Sequence, residues 1–454
     1  MAMSFYICTS CGYGSGSWIG KCPDCNEWNT LKEHKDDEKA DKKNLQEFTS
    51  TKFSEIKTAN KQRKQTGIFE FDRVLGGGIV PGEVVLLTGE PGIGKSTLLL
   101  QALQKLSTVY VSGEESAEQV RDRAQRLKIP LSKLQFSDVL QIEAVIKGVQ
   151  NLHKRHAEFS SASQAKTKIL KQVQDDDPLD LLVIDSIQTI YSREIPASAG
   201  SITQLKETTQ KLVQFAKKSN IPVIIVGHVT KEGDIAGPKM LEHLVDCVLL
   251  FEGEKVSHHR VLRSLKNRFG STDEIGIFEM NENGLKEVDD PLAFLENQQT
   301  DNVPGKAIVG VAEGKRPLFF EIQTLTVPTS LSFPRRVANG VDFNKAQLLL
   351  AVVRKHLNLS MDTLDIYINV VGGVSIKSPA VDLGIIASLV SSITNQPIPK
   401  KTVFFGEVGL LGEVRPVFFQ DKIIQEATRL KFANIISSKN LKNIKDLRRI
   451  LSPR

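Results

Sequence analysis

From Glu83 onward the hydrophobic and polar positions follow two alternating patterns. Short apolar runs at Glu83–Leu87, Thr108–Ser112, Leu181–Asp185, Ile221–Gly227 and Cys247–Phe251 have the length and β-branched content of buried strands. Between them lie segments of helical period. In Ser116–Leu127, Ala117, Val120, Ala124 and Leu127 fall on one face, and Ser116 with Gln119 forms a capping box at its start. Strands alternating with helices predict an α/β fold built on a mainly parallel sheet with helices on both faces. Two polar segments break the rhythm. His153–Pro178, ending in three aspartates and a proline, reads as a surface insertion; Asp289–Asn302 precedes a new block of strand-like and helix-like segments and marks a domain boundary. Lys32–Lys52 is charged and poor in apolar residues, as a linker is. The expected order is therefore a module at 1–31, a linker at 32–60, the alternating domain at 61–290 and a further domain at 300–454. No repeat of fixed period is present.

A length of 454 residues agrees with two or three domains, and 40% hydrophobic with 25% charged residues is the composition of a soluble globular chain. The formal net charge of +6 permits an acidic partner without requiring one. No apolar run reaches the roughly 18 residues of a membrane span, and Met1–Cys8 lacks the pattern of a secretory signal, so the expected compartment is the cytoplasm with no membrane association. Four of the five cysteines crowd into the first 25 residues as two C-x-x-C pairs, Cys8/Cys11 and Cys22/Cys25. In a reducing compartment that spacing reads as one structural zinc ion on four thiolates rather than as disulfides or a redox motif. So small a module holds too few apolar residues to fold without its metal. Cys247, inside an apolar strand, reads as a buried small hydrophobe.

The strongest chemical motif is Gly89-Glu90-Pro91-Gly92-Ile93-Gly94-Lys95-Ser96, which follows a strand and opens the helical run beginning at Thr97. That context is the one a phosphate-binding loop requires. Backbone N–H groups of such a loop wrap the phosphates of ATP, Lys95 reaches the β- and γ-phosphates, and the Ser96 hydroxyl is placed to ligate Mg2+. Leu181–Asp185 ends in an acid, so Asp185 is the candidate for the magnesium side. An isolated strand-terminal Asp is more often a cap or turn residue; the loop upstream reverses that preference. Tyr110–Ser112 runs into Gly113-Glu114-Glu115, which brings a carboxylate to the sheet edge, and Glu114 is the candidate to orient the attacking water. The alternative is that both glutamates only favour the next helix's N-terminus, and this weighs more on Glu115. Lys266 and Arg268 lie two apart on a strand-like segment and so share a face suited to a polyanion; alone, the pair would read as a basic edge strand.

Taken together, these residues resemble the bacterial RadA/Sms DNA-repair ATPases. The likeness runs over nearly the whole chain and rests on the four cysteines, Gly67–Gly78 with its glycine triplet, the phosphate loop, YVSGEES at Tyr110–Ser116, LVIDSIQT at Leu182–Thr189, and KNRFG at Lys266–Gly270, the most specific of them. The resemblance implies an N-terminal zinc ribbon, a RecA-like core and an α+β C-terminal domain related to the Lon protease. It also implies hexameric rings on single-stranded and branched DNA that act with the RecA recombinase in branch migration, in homologous recombination and the response to DNA damage. Ser192–Ser201 and Val229–Lys239 occupy the places of the DNA-contacting loops of RecA-type proteins, with Lys231 and Lys239 as phosphate contacts. His228 is placed either to sense the γ-phosphate or to close a strand end.

Gly372-Gly373-Val374, Ser378–Gly384 and Gly406–Glu413 resemble Lon. Asp382 aligns with Lon's nucleophilic serine and Asp421 with its lysine, to within one residue because Lys422 is adjacent; a Ser–Lys dyad needs both partners, so a non-proteolytic scaffold is expected. Three functions follow as expectations: first an ATP-driven recombination motor, then an ATP-driven Ser–Lys peptidase, or a DNA-binding ring whose assembly ATP controls.

Overall fold

A computed structural model describes residues 4–35, 52, 62–162, 178–228, 236–253, 259–292, 295, 303–329, 333–372 and 374–448. The chain divides into two compact units, residues 1–251 with 264–271 and residues 252–263 with 272–454. Most of the charged linker and residues 163–177 of the expected insertion lie outside the described residues.

The first unit opens with the cysteine module, where β1 (Ser4–Cys8) pairs antiparallel with β2 (Gly14–Ser15) and with β3 (Leu31–Lys35). Then come α1 (Phe69–Val74), β4 (Val84–Thr88), α2 (Lys95–Leu103), β5 (Thr108–Ser112), α3 (Ala117–Arg126), β6 (Leu134–Ser137) and α4 (Ile142–Ala162). They are followed by β7 (Leu181–Asp185), α5 (Ile202–Ser219), β8 (Val223–Val226), α6 (Ala236–Leu244) and β9 (Cys247–Glu252). The parallel strands lie in the order β9-β4-β8-β7-β5-β6. Every residue of β4, β5, β7 and β8 is buried, which explains why these strands read as continuous apolar runs rather than as alternations. The capping box forms: Gln119 N–H donates to Ser116 Oγ, and the Gln119 side chain accepts from Ser116 N–H. The segment expected as an insertion from His153 is helical up to Ala162, because α4 continues through it. Ile142, Val145 and Val149, at helical spacing, bury that helix against the sheet's core.

After β9 comes an antiparallel meander of β10 (His259–Asn267), β11 (Ile275–Asn281) and β12 (Gly284–Glu287), of which residues 264–267 belong to the first unit and the other strand residues to the second. Next come β13 (Lys306–Glu313), β14 (Arg316–Pro328), β15 (Arg336–Asn339), α7 (Phe343–Leu357), β16 (Leu364–Val370) and α8 (Asp382–Thr394). The chain finishes with β17 (Thr402–Phe404), β18 (Glu407–Val408), β19 (Val414–Arg415), α9 (Gln420–Arg429) and β20 (Asn434–Ile436). Six of these strands make a mixed sheet in the order β15-β16-β14-β13-β17-β20. Phe319, Leu383, Ile386 and Phe404 form its core, and Ile275, Ile277 and Val288 pack into the same cluster. For that reason the polar stretch 289–302, read from the sequence as the boundary, falls inside the second unit. Among the described residues no helix is long and apolar enough to cross a membrane.

Candidate functional site

Parallel strands deliver their C-terminal ends to one edge of the sheet, the edge where α/β folds bind ligands. The order β4-β8-β7-β5 therefore brings together the loop after β4, His228 after β8, Asp185 at the end of β7 and Glu114 after β5. The loop can take its path because Gly94 adopts φ 111° and because a Cβ on Gly89 would lie 2.2 Å from the Phe251 carbonyl oxygen. Residues Gly89, Glu90, Pro91, Gly92, Ile93 and Gly94 turn directly into α2, whose first residues are Lys95, Ser96 and Thr97.

Lys95 is only 4% exposed. Its Nζ donates to the carbonyls of Gly89 at 2.8 Å and Glu90 at 3.0 Å, and lies 3.1 Å from His228 Nδ1. Burial pushes its pKa down to about 8, while the negative charges of Asp185 and Glu114 oppose the fall. Ser96 Oγ donates to Asp185 Oδ2 at 2.9 Å, and the Tyr110 hydroxyl donates to the same oxygen. Burial raises the Asp185 pKa against the pull of these two hydroxyls. On the other side, Glu114 Oε1 accepts from Ser186 Oγ and lies 3.1 Å from His228 Nε2. Lys95, His228, Glu114 and Ser186 thus form one polar chain across the strand ends. Two oxygens 2.9 Å apart match adjacent ligands on an octahedral Mg2+ at roughly 2.0–2.1 Å, so Ser96 and Asp185 fit that ion. Glu115 turns away to pair with Arg123 and serves α3 rather than the site.

The four cysteine thiols come together as the spacing predicts, with all four Sγ atoms within 4.8 Å of one another. Cys8 and Cys25 are 3.7 Å apart and Cys11 and Cys22 are 3.5 Å apart. Tetrahedral sulfurs at roughly 2.3 Å from zinc stand about 3.8 Å from each other, so the thiols fit zinc closely. Cys247 sits fully buried in β9, and burial pushes its thiol pKa up.

Comparison with known proteins agrees with each part. Residues 64–288 match the KaiC ATPase family model, residues 6–33 the rubredoxin metal binding domain, and residues 344–452 the Lon protease (S16) C-terminal proteolytic domain. The DNA repair protein RadA of Aquifex aeolicus is 41% identical over 453 residues, covering 96% of this chain and 93% of that protein. RadA of Halalkalibacterium halodurans is 43% identical, covering 96% and 93%, and RadA of Bacillus subtilis is 42% identical, covering 95% and 92%. The chain belongs to the RadA family of DNA repair proteins. As a RadA protein it has a RecA-like ATPase domain and a zinc ribbon, and its cofactors are zinc, ATP and Mg2+.

In this RadA chain the KNRFG segment closes back on its own domain. Lys266 Nζ donates to the carbonyls of Glu242 and Val245, each at 2.7 Å, at the C-terminal end of α6. Arg268 Nη1 lies 3.2 Å from Asp246 Oδ1, and its side chain is 51% exposed. The two cations therefore meet the same segment, as their spacing of two residues implies. Of the two loops expected at DNA, 192–201 is held by Gln204, whose amide bonds the backbone of Ser192, Ile195 and Ala197. Beneath it Glu143 Oε1 accepts from Lys211 Nζ at 2.6 Å and from Ser192 Oγ at 2.5 Å, and these bonds lower the Glu143 pKa to about 2 despite desolvation. Lys231 lies outside the described residues; Lys239 falls within α6, and its side chain is outside them too.

Asp382 and Asp421, aligned with the two halves of Lon's dyad, do not share a site. Asp382 is fully buried; its Oδ2 accepts from Val408 N–H at 3.1 Å and pairs with Lys345 Nζ at 2.8 Å. Desolvation raises its pKa to about 6 even so. Asp421 has a side chain 77% exposed and pairs with Lys439 at 2.7 Å. Sequence reasoning missed Tyr110, Ser186 and Lys345. Only Tyr110 left a signal, a phenol between two valines of a buried strand; with Tyr110 opposite Val183 and Ser112 opposite Asp185, it lies on the acid's side of the sheet.

Proposed function

We propose that this chain is a DNA-dependent ATPase of homologous recombination, assembling as a hexameric ring on single-stranded DNA and driving branch migration of intermediates begun by the RecA recombinase. The supporting observation is the polar chain from Lys95 through His228 and Glu114 to Ser186. His228 and Ser186 stand where β8 and β7 end, at the roots of the two segments offered to DNA, 229–239 and 192–201. A change in charge at the γ-phosphate alters what Lys95 and Glu114 hold, and that change is passed to both roots.

In this reading the backbone from Gly89 to Thr97 and the Lys95 ammonium bind the triphosphate. Glu114 accepts a proton from the attacking water and orients it. Ser96 and Asp185 hold the magnesium, which when bound offsets phosphate charge. Arg268, half exposed, and Lys266 are offered to the nucleotide of the neighbouring subunit, and Lys231 and Lys239 take DNA phosphates without reading sequence. Residues 61–290 act as the motor, and residues 300–454 act as a scaffold without peptidase activity, since an aspartate, Asp382, stands where Lon's nucleophilic serine aligns.

The test is ATP turnover with and without single-stranded DNA, together with strand displacement on a forked DNA using ATP or a non-hydrolysable analogue. DNA-stimulated turnover with ATP-dependent displacement is expected. Turnover indifferent to DNA would sink the motor, and displacement supported equally by the analogue would leave an ATP-controlled ring instead.

A further inference from the structure

The chain contains two tryptophans, Trp18 and Trp28, and both lie on the zinc module. They are 56% and 69% exposed, although an indole is among the costliest side chains to leave in water. Neither is needed inside. The module's own core is Cys8, Cys22 and Leu31, with Tyr6, Cys11, Ile19 and Cys25 packed against it.

The two rings converge on one glycine. A Cβ on Gly20 would lie 3.7 Å from Trp18 Cη2 and 3.8 Å from Trp28 Cζ3, so both indoles flank a floor that has no side chain of its own. The Lys21 ammonium stands 5.7 Å from the Trp28 ring centre. The backbone beneath is tied: Lys21 and Trp28 form a bridge, Asn29 N–H donates to Gly20 carbonyl at 2.8 Å, and Cys22 N–H donates to Glu27 carbonyl at 2.9 Å. Cys22 is itself a zinc ligand and lies in the loop that the Lys21–Trp28 bridge closes.

Charge narrows the occupant. Within the module Lys21, Lys32 and Lys35 balance Asp24, Glu27 and Glu33, so it has no electrostatic grip on a duplex backbone. What it offers is two exposed indoles flanking Gly20, with the Lys21 cation over one face of Trp28. Flat, unpaired bases match that surface, whereas in a duplex the base faces are already stacked.

We infer that Trp18 and Trp28 form a stacking platform for bases of single-stranded DNA, with Lys21 beside the backbone. This inference rests on the proposal that single-stranded DNA is the chain's substrate, and it adds a contact that the RecA-like domain does not provide. Because stacking dominates, the platform contributes affinity with little salt dependence.

The tryptophans are also the probe. With the full zinc-loaded chain, an oligothymidylate is titrated in while indole emission and the anisotropy of an end-labelled oligonucleotide are read together. Emission is expected to be quenched with the same midpoint as the anisotropy rise. Trp18→Ala combined with Trp28→Ala should weaken binding roughly tenfold or more, leave the salt slope nearly unchanged, and keep bound zinc; Trp18→Phe with Trp28→Phe should recover part of the loss. Anisotropy that rises with unaltered emission overturns the platform and leaves the DNA reading standing. If neither signal moves, both fail. A double alanine variant with full zinc and unweakened binding also overturns the inference and leaves the rings as a protein-docking surface.

Discussion

Raising the pH above about 8 should weaken ATP binding by discharging Lys95. The structure holds this ammonium 4% exposed among two carbonyls and His228, and burial lowers its pKa from 10.5 to about 8. At pH 7 about nine-tenths of free sites then carry the charge, and at pH 9 about one-tenth. Binding that needs the charged form is weakened in proportion to the lost fraction, which is about tenfold between those two values, or roughly 1.4 kcal/mol. The triphosphate restores the charge in the complex, so binding at pH 9 should take up close to one proton. The sign for the nucleotide-free fold is opposite. A lysine whose folded pKa is depressed burdens the fold while charged, so that cost is present below pH 8 and relieved as the pH rises toward 10.5. Calorimetric titration in two buffers of different ionisation enthalpy reads affinity and proton uptake together. The last ionisation of a phosphate monoester, near 6, lies below the window, and Lys95→Met, with weak binding throughout, supplies a flat reference. Affinity that changes less than about twofold between pH 7 and pH 9, with no proton uptake, would refute the desolvated lysine.

Lys345→Met should destabilise the second unit by about 1–3 kcal/mol at pH 8, the cost of stranding a buried carboxylate discounted for a lysine side chain 35% exposed. Asp382 has a folded pKa raised from 3.8 to about 6, so its contribution is full below 3.8 and lost as the pH rises through 6; at pH 5 the variant should nearly match the parent, as read by hydrogen exchange across α8. An equal loss at both pH values would assign Lys345 to packing instead. Removing zinc, or changing Cys22 to Ser, should unfold the module and leave basal ATP turnover within about twofold, because Lys95 and its partners all lie beyond the linker; parallel loss of both would contradict this. Arg268→Ala should retain ATP binding and lose most DNA-stimulated turnover, and mixing it with Lys95→Ala should restore some. Mixtures that exchange subunits and show no more activity than their parents would return Arg268 to a role within its own chain. No unfolded substrate should be cleaved; ATP-stimulated digestion abolished by changes within residues 375–425 would reverse that expectation.

Much of the chemistry was legible in the sequence because it is local. Gly89–Ser96 works by the backbone it permits, and Cys8, Cys11, Cys22 and Cys25 by spacing that two tight turns translate into a cluster. The apolar runs announced buried parallel strands, and Ser116 with Gln119 marked the start of α3 within a residue. A polar stretch such as 289–302 signals exposure and says nothing about which core the strands before it join; Ile275 and Ile277 pack with the second unit's core. Strand order was not legible at all. Placing β4 beside β8 and β9, rather than beside β5, depends on which apolar faces pack best across the whole sheet, and that is a sum over distant residues. From this order come the contacts no motif contains: His228 between Lys95 and Glu114, and Tyr110 on Asp185. Likewise Lys345 meets Asp382 only because α7 and α8 lie together, although 37 positions of chain separate an ordinary surface-type lysine from an acid at a helix start. Residue types and short spacings determined which reactions this chain is equipped for. The tertiary structure decided which side chains share a charge, because desolvation and hydrogen bonding act over a few ångströms in space, whatever the distance along the chain.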